Sequence, residues 1–300
     1  MPLLEEGRDR AWYFLCLMLL LYVGARFLRL FSNTVPAVLI VVLHVLPPAL
    51  FAIVHGKRLY TTRGILAFVA LCLVVGAFFE SLALRTGFPF GRYFFTGLMG
   101  PKLFQLPVLL VLAYIGMGYL AWIVGLLMLG SPGKSLSGSK VVFVPLVASL
   151  VMVAWDLAMD PVWANIDHAW VWKDGGAYFG VPVSNFFGWY LTVYVIYQAF
   201  ALYLRDRPVQ PIAREYYRMA VLFYAASAAG NMLLLFQARP SAAVVDQPGR
   251  RWIVSDIVGV CVVVSIFVMG AFAVTAWSRL GLEHREWPQS HLGATRVCRP

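Results

Sequence analysis

Apolar runs of about 20 residues follow one another through nearly the whole chain, and most charged residues lie between them. An α-helix needs about 20 such residues to cross a hydrocarbon layer roughly 30 Å thick. Within that layer the backbone must satisfy its own hydrogen bonds, which restricts spanning structures to helices and closed barrels. Because a barrel strand needs only about 10 residues, runs of this length favour helices. The sequence therefore predicts an all-α, polytopic integral membrane protein.

Eight runs meet this length criterion, so we expect about eight transmembrane helices. The runs cover 11–29, 36–54, 64–84, 105–129, 141–159, 185–204, 216–236 and 252–277. No small-residue cleavage site follows the first run, which predicts a retained anchor instead of a signal peptide. We expect residues 1–300 to form a single membrane domain, with a core motif region at 79–189 and a polar tail at 278–300.

Composition agrees with this class, since 61% of the residues are hydrophobic and only 13% are charged. The net charge of +10 is spread over short loops and tails, so nucleic acid is not an expected partner. Placing the N-terminus in the cytoplasm puts most of the 24 Lys and Arg residues on that side. The positive-inside rule then predicts cytoplasmic N- and C-termini in a bacterial or archaeal cytoplasmic membrane. The four scattered cysteines, at positions 16, 72, 261 and 298, predict neither a disulfide framework nor a metal site.

Three acidic residues stand at the ends of apolar runs. Asp156 and Asp160 are four residues apart, so on a helix both carboxylates lie on one face. Glu80 stands near the end of the third run. An Asp at the centre of a spanning helix costs on the order of 3 kcal/mol, and such residues usually mark function. The predicted topology puts the loops after Glu80 and after Asp160 on the same face of the membrane, where they can close over one site.

Structural interpretations remain open beside this one. Asp160 at a membrane interface can pair with Arg, Asp156 can bond a neighbouring helix, and Glu80 can pair with Arg85 or Arg92. The Trp and Tyr residues can form an interfacial aromatic belt. Asn185 and Asn231 can be hydrogen-bonding contacts between helices. His44, beside two prolines in the second run, is more typical of a hydrogen-bonded packing residue than of a ligand.

Four motifs carry a resemblance to a known family. They are TGFPFGRY at 86–93 after Glu80, WDLAMDP at 155–161, GAYFGVPVSN at 176–185, and Gly188-Trp189. Together they resemble the membrane-bound carotenoid biosynthesis protein family. The resemblance is strongest from about Phe79 to Trp189, and outside this region only hydrophobicity matches.

That family includes carotenoid hydratases of bacteria and haloarchaea, which add water across the terminal double bond of an acyclic carotenoid end group. The resemblance implies an acyclic carotenoid or another polyisoprenoid lipid as the substrate. Other carotenoid-pathway enzymes are further candidate partners within the membrane.

The residues fit such chemistry without a cofactor or metal. Hydrating an isolated alkene needs a shielded acid, a means of stabilising a tertiary carbocation, and a positioned water. Either Asp156 or Asp160 is a candidate proton donor, with the other carboxylate or Glu80 orienting the water. Aromatic faces stabilise a nearby cation by roughly 0.5 to 2 kcal/mol each. The candidate substrate-binding residues are Phe90, Arg92, Tyr93, Trp155, Tyr178, Phe179, Asn185 and Trp189, although Arg92 can instead extend to the membrane interface.

Three other functions remain open. A carotenoid or isoprenoid cyclase or isomerase uses the same acid and differs only in what captures the cation. A membrane prenyltransferase needs aspartates that bind magnesium and a diphosphate, and the sequence lacks a second Asp-rich cluster with basic partners. A transporter predicts repeated halves with broken helices at matching positions.

Overall fold

The computed structural model describes residues 9–282 except 33, 104–105, 131, 134, 206 and 239–240. Its helices are α1 Arg10–Leu28, α2 Ala37–Thr86, α3 Val108–Met128, α4 Lys140–Asn165, α5 Val183–Leu204, α6 Arg214–Asn231, α7 Val254–Val264 and α8 Gly270–Leu282. A π-helical segment, Ser265–Met269, joins α7 to α8. Short 3-10 helices occur at Arg29–Phe31, Gly97–Met99 and Met232–Phe236. The protein is an all-α polytopic membrane protein, as the sequence predicts.

The number of membrane crossings depends on how α2 is counted. Seven helical stretches within the described residues are long and apolar enough to span a membrane, and the seventh runs from Val254 through α8. Helix α2 has 50 residues and would extend roughly 75 Å, more than twice the hydrocarbon thickness. Its backbone leaves helical geometry at Thr61, where φ is 65° and ψ is 173°. The break separates the second and third predicted runs, so eight crossings result when both halves are counted.

Helix α3 forms the centre of the bundle and is the most buried of the spanning helices. Small residues let neighbouring helices approach it closely. A Cβ on Gly116 would lie 2.7 Å from the backbone nitrogen of Ala49, and one on Gly125 would lie 2.8 Å from that of Ala148. Such small-residue contacts are typical of helix packing in membranes, where dispersion forces replace the hydrophobic effect. They fix α2 and α4 on either side of α3.

Helix α4 is longer than predicted, because it continues through Pro161 to Asn165 instead of ending at Met159. Proline lacks an N–H group and leaves the carbonyl four residues earlier without its helical donor. That carbonyl belongs to Leu157, and it accepts a 3.0 Å hydrogen bond from the Tyr178 hydroxyl. The extension places Asp156 and Asp160 inside the bundle, with relative exposures of 0% and 1%.

Six strands of two or three residues lie in the loops: β1 Tyr93–Phe95, β2 Lys102–Leu103, β3 Leu106–Pro107, β4 Trp170–Trp172, β5 Ala243–Val245 and β6 Arg251–Ile253. They form three antiparallel pairs, β1 with β4, β2 with β3, and β5 with β6. Strand β1 comes from the loop after Glu80 and β4 from the loop after Asp160, with Tyr93 opposite Trp172. This pairing joins the two loops at one end of the bundle.

Two of the predicted segments extend past the described residues. The predicted run 105–129 begins at residue 105, which lies outside them, and α3 itself begins at Val108. Residues 278–282 of the predicted polar tail form the last turn of α8, and residues 283–300 lie outside the described part of the chain.

Candidate functional site

A small buried cavity of about 30 Å³ lies where the paired loops meet the ends of α2, α3, α4 and α5. Glu80 and Asp160 both line it, although they are on different helices. The remaining lining is one amide and seven apolar or aromatic side chains: Asn185, Phe90, Tyr93, Phe95, Leu110, Trp170, Trp172 and Trp189. The cavity thus combines carboxyl groups with an almost entirely aromatic wall.

Asn185 joins the two aspartates. Its Nδ2 group donates hydrogen bonds to Asp156 Oδ2 at 2.9 Å and to Asp160 Oδ2 at 2.6 Å. Asn185 stands in the first turn of α5 and is 1% exposed. Four-residue spacing on α4 stacks the two carboxyl groups on one helix face, so a single amide on the facing helix can reach both. The predicted helix-to-helix contact of Asn185 is therefore a contact with both candidate acids.

The other oxygen of Asp160 accepts two indole hydrogen bonds from strand β4. Trp170 Nε1 lies 2.9 Å from Asp160 Oδ1, and Trp172 Nε1 lies 3.2 Å from the same atom. Alternation along a strand places residues 170 and 172 on the same face, which directs both indoles toward α4. Asp160 does not pair with Arg among the described residues, contrary to the structural alternative that the sequence left open.

Glu80 is held by two phenols. Tyr114 on α3 donates a 3.0 Å hydrogen bond to Glu80 Oε1, and the Tyr93 hydroxyl donates to Glu80 Oε2. Burial, together with the nearby Glu80 carboxylate, raises the pKa of Tyr93 well above its ordinary value. Tyr93 is therefore a neutral hydrogen-bond donor. For Glu80, the two phenols take the place of the ion pair with Arg85 or Arg92 that the sequence left open.

Aromatic rings enclose the cavity around Trp189. The Trp189 ring stacks on Tyr114 with centroids 4.7 Å apart and contacts Phe90 at 6.2 Å. Trp155 meets Trp189 edge-on at 6.5 Å and lines a neighbouring cavity. Gly188 permits the loop to approach α5, because a Cβ there would lie 2.6 Å from the Phe90 ring. Of these rings, Trp189 and Phe90 line the cavity itself, and Tyr114 and Trp155 pack behind Trp189.

Tyr178 and Phe179 lie behind this wall and support it. The Tyr178 hydroxyl caps the Leu157 carbonyl, and burial raises the Tyr178 pKa to about 12. Phe179 has a positive φ of 48°, which is rare for a bulky residue. Its carbonyl accepts a 2.6 Å hydrogen bond from Asn165, and its ring packs on Trp252. Neither side chain lines the small cavity.

Arg92 differs from the other predicted residues because its side chain points away from the cavity and is exposed. It forms two hydrogen bonds with Asp174, at 2.7 and 2.5 Å, and these bonds lower the Asp174 pKa. The structure does not bring Arg92 to the cavity, because the exposed Asp174 carboxylate binds its guanidinium.

Arg92→Gln is therefore expected to keep product formation within about two-fold of the unmodified protein, because exposed ion pairs contribute little. The lowered Asp174 pKa implies that the pair stabilises the fold above the ordinary Asp pKa, and that this contribution is lost as pH falls through the lowered value. Pigment yield per amount of membrane protein measures the result. A ten-fold loss of product would show that Arg92 does act at the site.

Two further cavities lead away from the first. One of about 40 Å³ shares the Leu110, Trp170 and Trp189 walls. Another, of about 630 Å³, shares Val41 and Trp163 with it and is lined by apolar residues of α2, α4 and α7 and by mixed polar and apolar residues of the neighbouring segments 29–32, 166–167 and 234–238. Arg29 and Asp167 form a 2.5 Å ion pair at its edge. The three cavities thus follow one another from the largest to the site of the carboxyl groups.

Several residues of the site were not predicted from the sequence. Tyr114, Trp170 and Trp172 all donate to the carboxyl groups. A phenol within an apolar run, and alternating tryptophans directly after the Asp pair, were the available signals. Among the described residues, no group of three or more His, Cys, Asp or Glu side chains is placed to hold a metal ion.

Comparison with known proteins identifies a family. Residues 12–246 match the model of a family described as carotenoid biosynthesis protein. The chain belongs to this carotenoid biosynthesis family. The match extends on both sides of the 79–189 region that carries the motifs and includes every carboxyl, amide and indole group of the site. No curated protein and no solved structure gives a match.

Proposed function

We propose that this member of the carotenoid biosynthesis family hydrates the terminal double bond of an acyclic carotenoid end group. One observation carries the proposal: two buried carboxyl groups, Asp156 and Asp160, share the amide of Asn185 beside a cavity walled by aromatic rings. Two carboxylates this close in an apolar setting repel each other strongly, so the pair holds one proton between them. An acid shielded from water is what alkene protonation requires.

Asp160 is the member of the pair that delivers the proton, because it lines the cavity whereas Asp156 does not. The proton bonds to the less substituted alkene carbon, the π electrons form the new C–H bond, and a tertiary cation remains on the neighbouring carbon. A water oxygen then forms the C–O bond and loses one proton, which restores the acid pair. Atoms and charge balance without a redox partner.

The surroundings of the cavity support the cationic intermediate. Glu80 accepts hydrogen bonds from two phenols and places a second electron-rich carboxyl group at the same cavity. The π faces of Trp189 and Phe90 add attraction of roughly 0.5 to 2 kcal/mol each when suitably placed. The 630 Å³ cavity is of ordinary size for a ligand site, and its apolar side chains provide contacts for the polyene. We place both termini in the cytoplasm, with the site toward the opposite face.

The test is co-expression in a bacterium that accumulates lycopene, followed by chromatography and mass spectrometry of the pigments. A mass gain of one water per modified end group supports the hydratase. An isomer of unchanged mass identifies the cyclase or isomerase alternative, which needs the same acid. A prenylated product of higher mass, or transport of unchanged pigment, contradicts the proposal.

Filling the route between the cavities should impair substrate binding. Val41 lines both the largest and the middle cavity and is 3% exposed, so Val41→Trp is expected to raise the apparent KM about ten-fold. Val38, three residues earlier on the same helix, is 48% exposed and provides the matched control, Val38→Trp. Overpacking costs typically 1–3 kcal/mol, so membrane insertion is compared as well. Equal kinetics for the two variants would exclude this route.

A further inference from the structure

The middle cavity contains polar groups that the proton-transfer site does not use. Arg26 of α1 and His44 of α2 both line this space of about 40 Å³. They are 7% and 6% exposed, and the rest of the wall consists of Asn231 together with aromatic, methionine and aliphatic side chains. A buried guanidinium in a membrane protein is costly, and such residues usually mark a pathway or a binding site.

Each of the two residues has one nitrogen without a partner. Within the described part of the chain, Arg26 Nε and His44 Nε2 are buried and make no hydrogen bond. Arg26 donates through Nη2 to Asn231 Oδ1 and to the Ser227 carbonyl, and His44 Nδ1 lies 2.7 Å from the Ile40 carbonyl. Buried polar groups are nearly always paired, so two unpaired atoms at one cavity indicate a ligand that binds there.

The hydrogen-bonding character of these atoms identifies the ligand. A carbonyl oxygen only accepts, so His44 Nδ1 carries the proton and Nε2 of the neutral ring is an acceptor. Arg26 Nε–H is a donor. One donor and one acceptor suit a hydroxyl group, which can accept from Arg26 and donate to His44. Both side chains contact the Tyr22 ring, at 6.0 Å from the Arg26 Cζ and 5.9 Å from the His44 centroid.

We infer that Arg26 and His44 bind the water molecule that captures the carbocation, an inference that rests on the proposed hydration. The cavity exceeds the 10–15 Å³ that a water needs. A water held by these two groups keeps one lone pair free for the new C–O bond. Since the middle cavity shares the Trp170 and Trp189 walls with the acid cavity, proton and water reach the end group from different sides.

A second set of contacts fixes the position of Arg26. Asn231 accepts from Arg26 and donates a 2.8 Å hydrogen bond to Ser265 Oγ, at the start of the π-helical segment. π-helical turns inside α-helices are frequent at functional sites. The chain from Ser265 through Asn231 to Arg26 holds the guanidinium at the cavity, and Gly230, which has no side chain, leaves room for Arg26 Nε beside α6.

The experiment separates protonation from water capture. Membranes containing the protein are incubated with lycopene in D₂O, and both hydrated product and deuterium in recovered lycopene are measured by mass spectrometry. Without capture, the cation loses a proton from a neighbouring methyl or methylene group and returns to an alkene that carries deuterium. His44→Phe and Arg26→Met are each expected to lower hydration at least ten-fold while deuterium exchange continues.

His55→Phe is the matched control, because His55 is a buried histidine on the same helix whose two ring nitrogens are both bound. It is expected to lower hydration and exchange together, in proportion to the folded protein. Unchanged hydration in His44→Phe and Arg26→Met, or a parallel loss of hydration and exchange in both, would overturn the water site. Absence of hydration and of exchange in the unmodified protein would instead refute the proposed function.

Discussion

Asp160→Asn is expected to lower product formation by at least 100-fold, and Asp156→Asn by a similar factor, while membrane insertion is preserved. A positioned general acid contributes typically 10²- to 10⁴-fold, and asparagine has the shape of aspartate without a transferable proton. In Asp156→Asn the amide oxygen can still accept from Asn185 Nδ2, whereas in Asp160→Asn a single oxygen replaces the two that accept from Asn185, Trp170 and Trp172, so folded protein is quantified for both variants. The measurement is pigment yield, together with deuterium incorporation from D₂O.

Asp174→Asn is the matched control, because Asp174 is an exposed aspartate in the loop that follows α4, and among the described residues its side chain is hydrogen-bonded by Arg92 alone. Its product yield should stay close to that of the unmodified protein. Deuterium exchange should disappear in the two buried variants and persist in the control. Full activity of both Asp156→Asn and Asp160→Asn would refute the acid assignment.

Asn185→Leu is expected to have the second largest effect, a loss of activity of roughly 100-fold accompanied by lower stability. Leucine has a similar volume but removes the donor for two buried carboxyl oxygens, and each unsatisfied oxygen costs about 1–3 kcal/mol. Without the shared amide, the two acids lose both their position and the group that holds them together. Activity and the thermal unfolding of purified protein are measured in parallel.

Gln198→Leu provides the comparison on the same helix. Gln198 also donates from a side-chain amide across the α4–α5 contact, but its acceptor is the Val141 carbonyl, 3.1 Å away at the other end of α4. Gln198 Oε1 also accepts from the Tyr194 hydroxyl at 3.2 Å, and the loss of these two hydrogen bonds should reduce stability modestly and leave activity per folded molecule unchanged. If Asn185→Leu behaves in the same way, Asn185 is a structural contact and not part of the reaction site.

The position of the acid pair on α4 was predictable from the sequence, but the length of α4 was not. Spacing alone placed Asp156 and Asp160 on one helix face, and the unusual presence of acids in apolar runs singled out Glu80 as well. Sequence could not show that α4 continues past Pro161, because that continuation depends on a hydroxyl supplied by Tyr178 from outside the helix. A helix end predicted from local signals fails where a tertiary contact replaces the missing hydrogen bond.

Arg92 and Arg26 show what motif membership leaves undetermined. Arg92 belongs to a motif and is a candidate for substrate contact or for extension to the interface, and in the structure it pairs with exposed Asp174. Arg26 belongs to none of the motifs, but it is buried and bound to Asn231, 205 positions along the chain. Whether Arg26 faces a cavity depends on the rotation of α1, and whether Arg92 does depends on the course of its loop. No pattern of neighbouring residues in the sequence predicts either.

The sequence by itself determined the membrane class, the approximate positions of the spanning segments, the family resemblance and most of the carboxyl, amide and aromatic groups of the site. It could do so because the bilayer imposes a local rule: each crossing needs its own apolar run of sufficient length. Only the tertiary structure decided that Asn185 bridges the aspartates, that two indoles and two phenols hold the acids, and that Arg26 and His44 share a cavity. Those contacts join residues on different helices and loops, and they depend on how helices pack, through close backbone approaches such as that at Gly116.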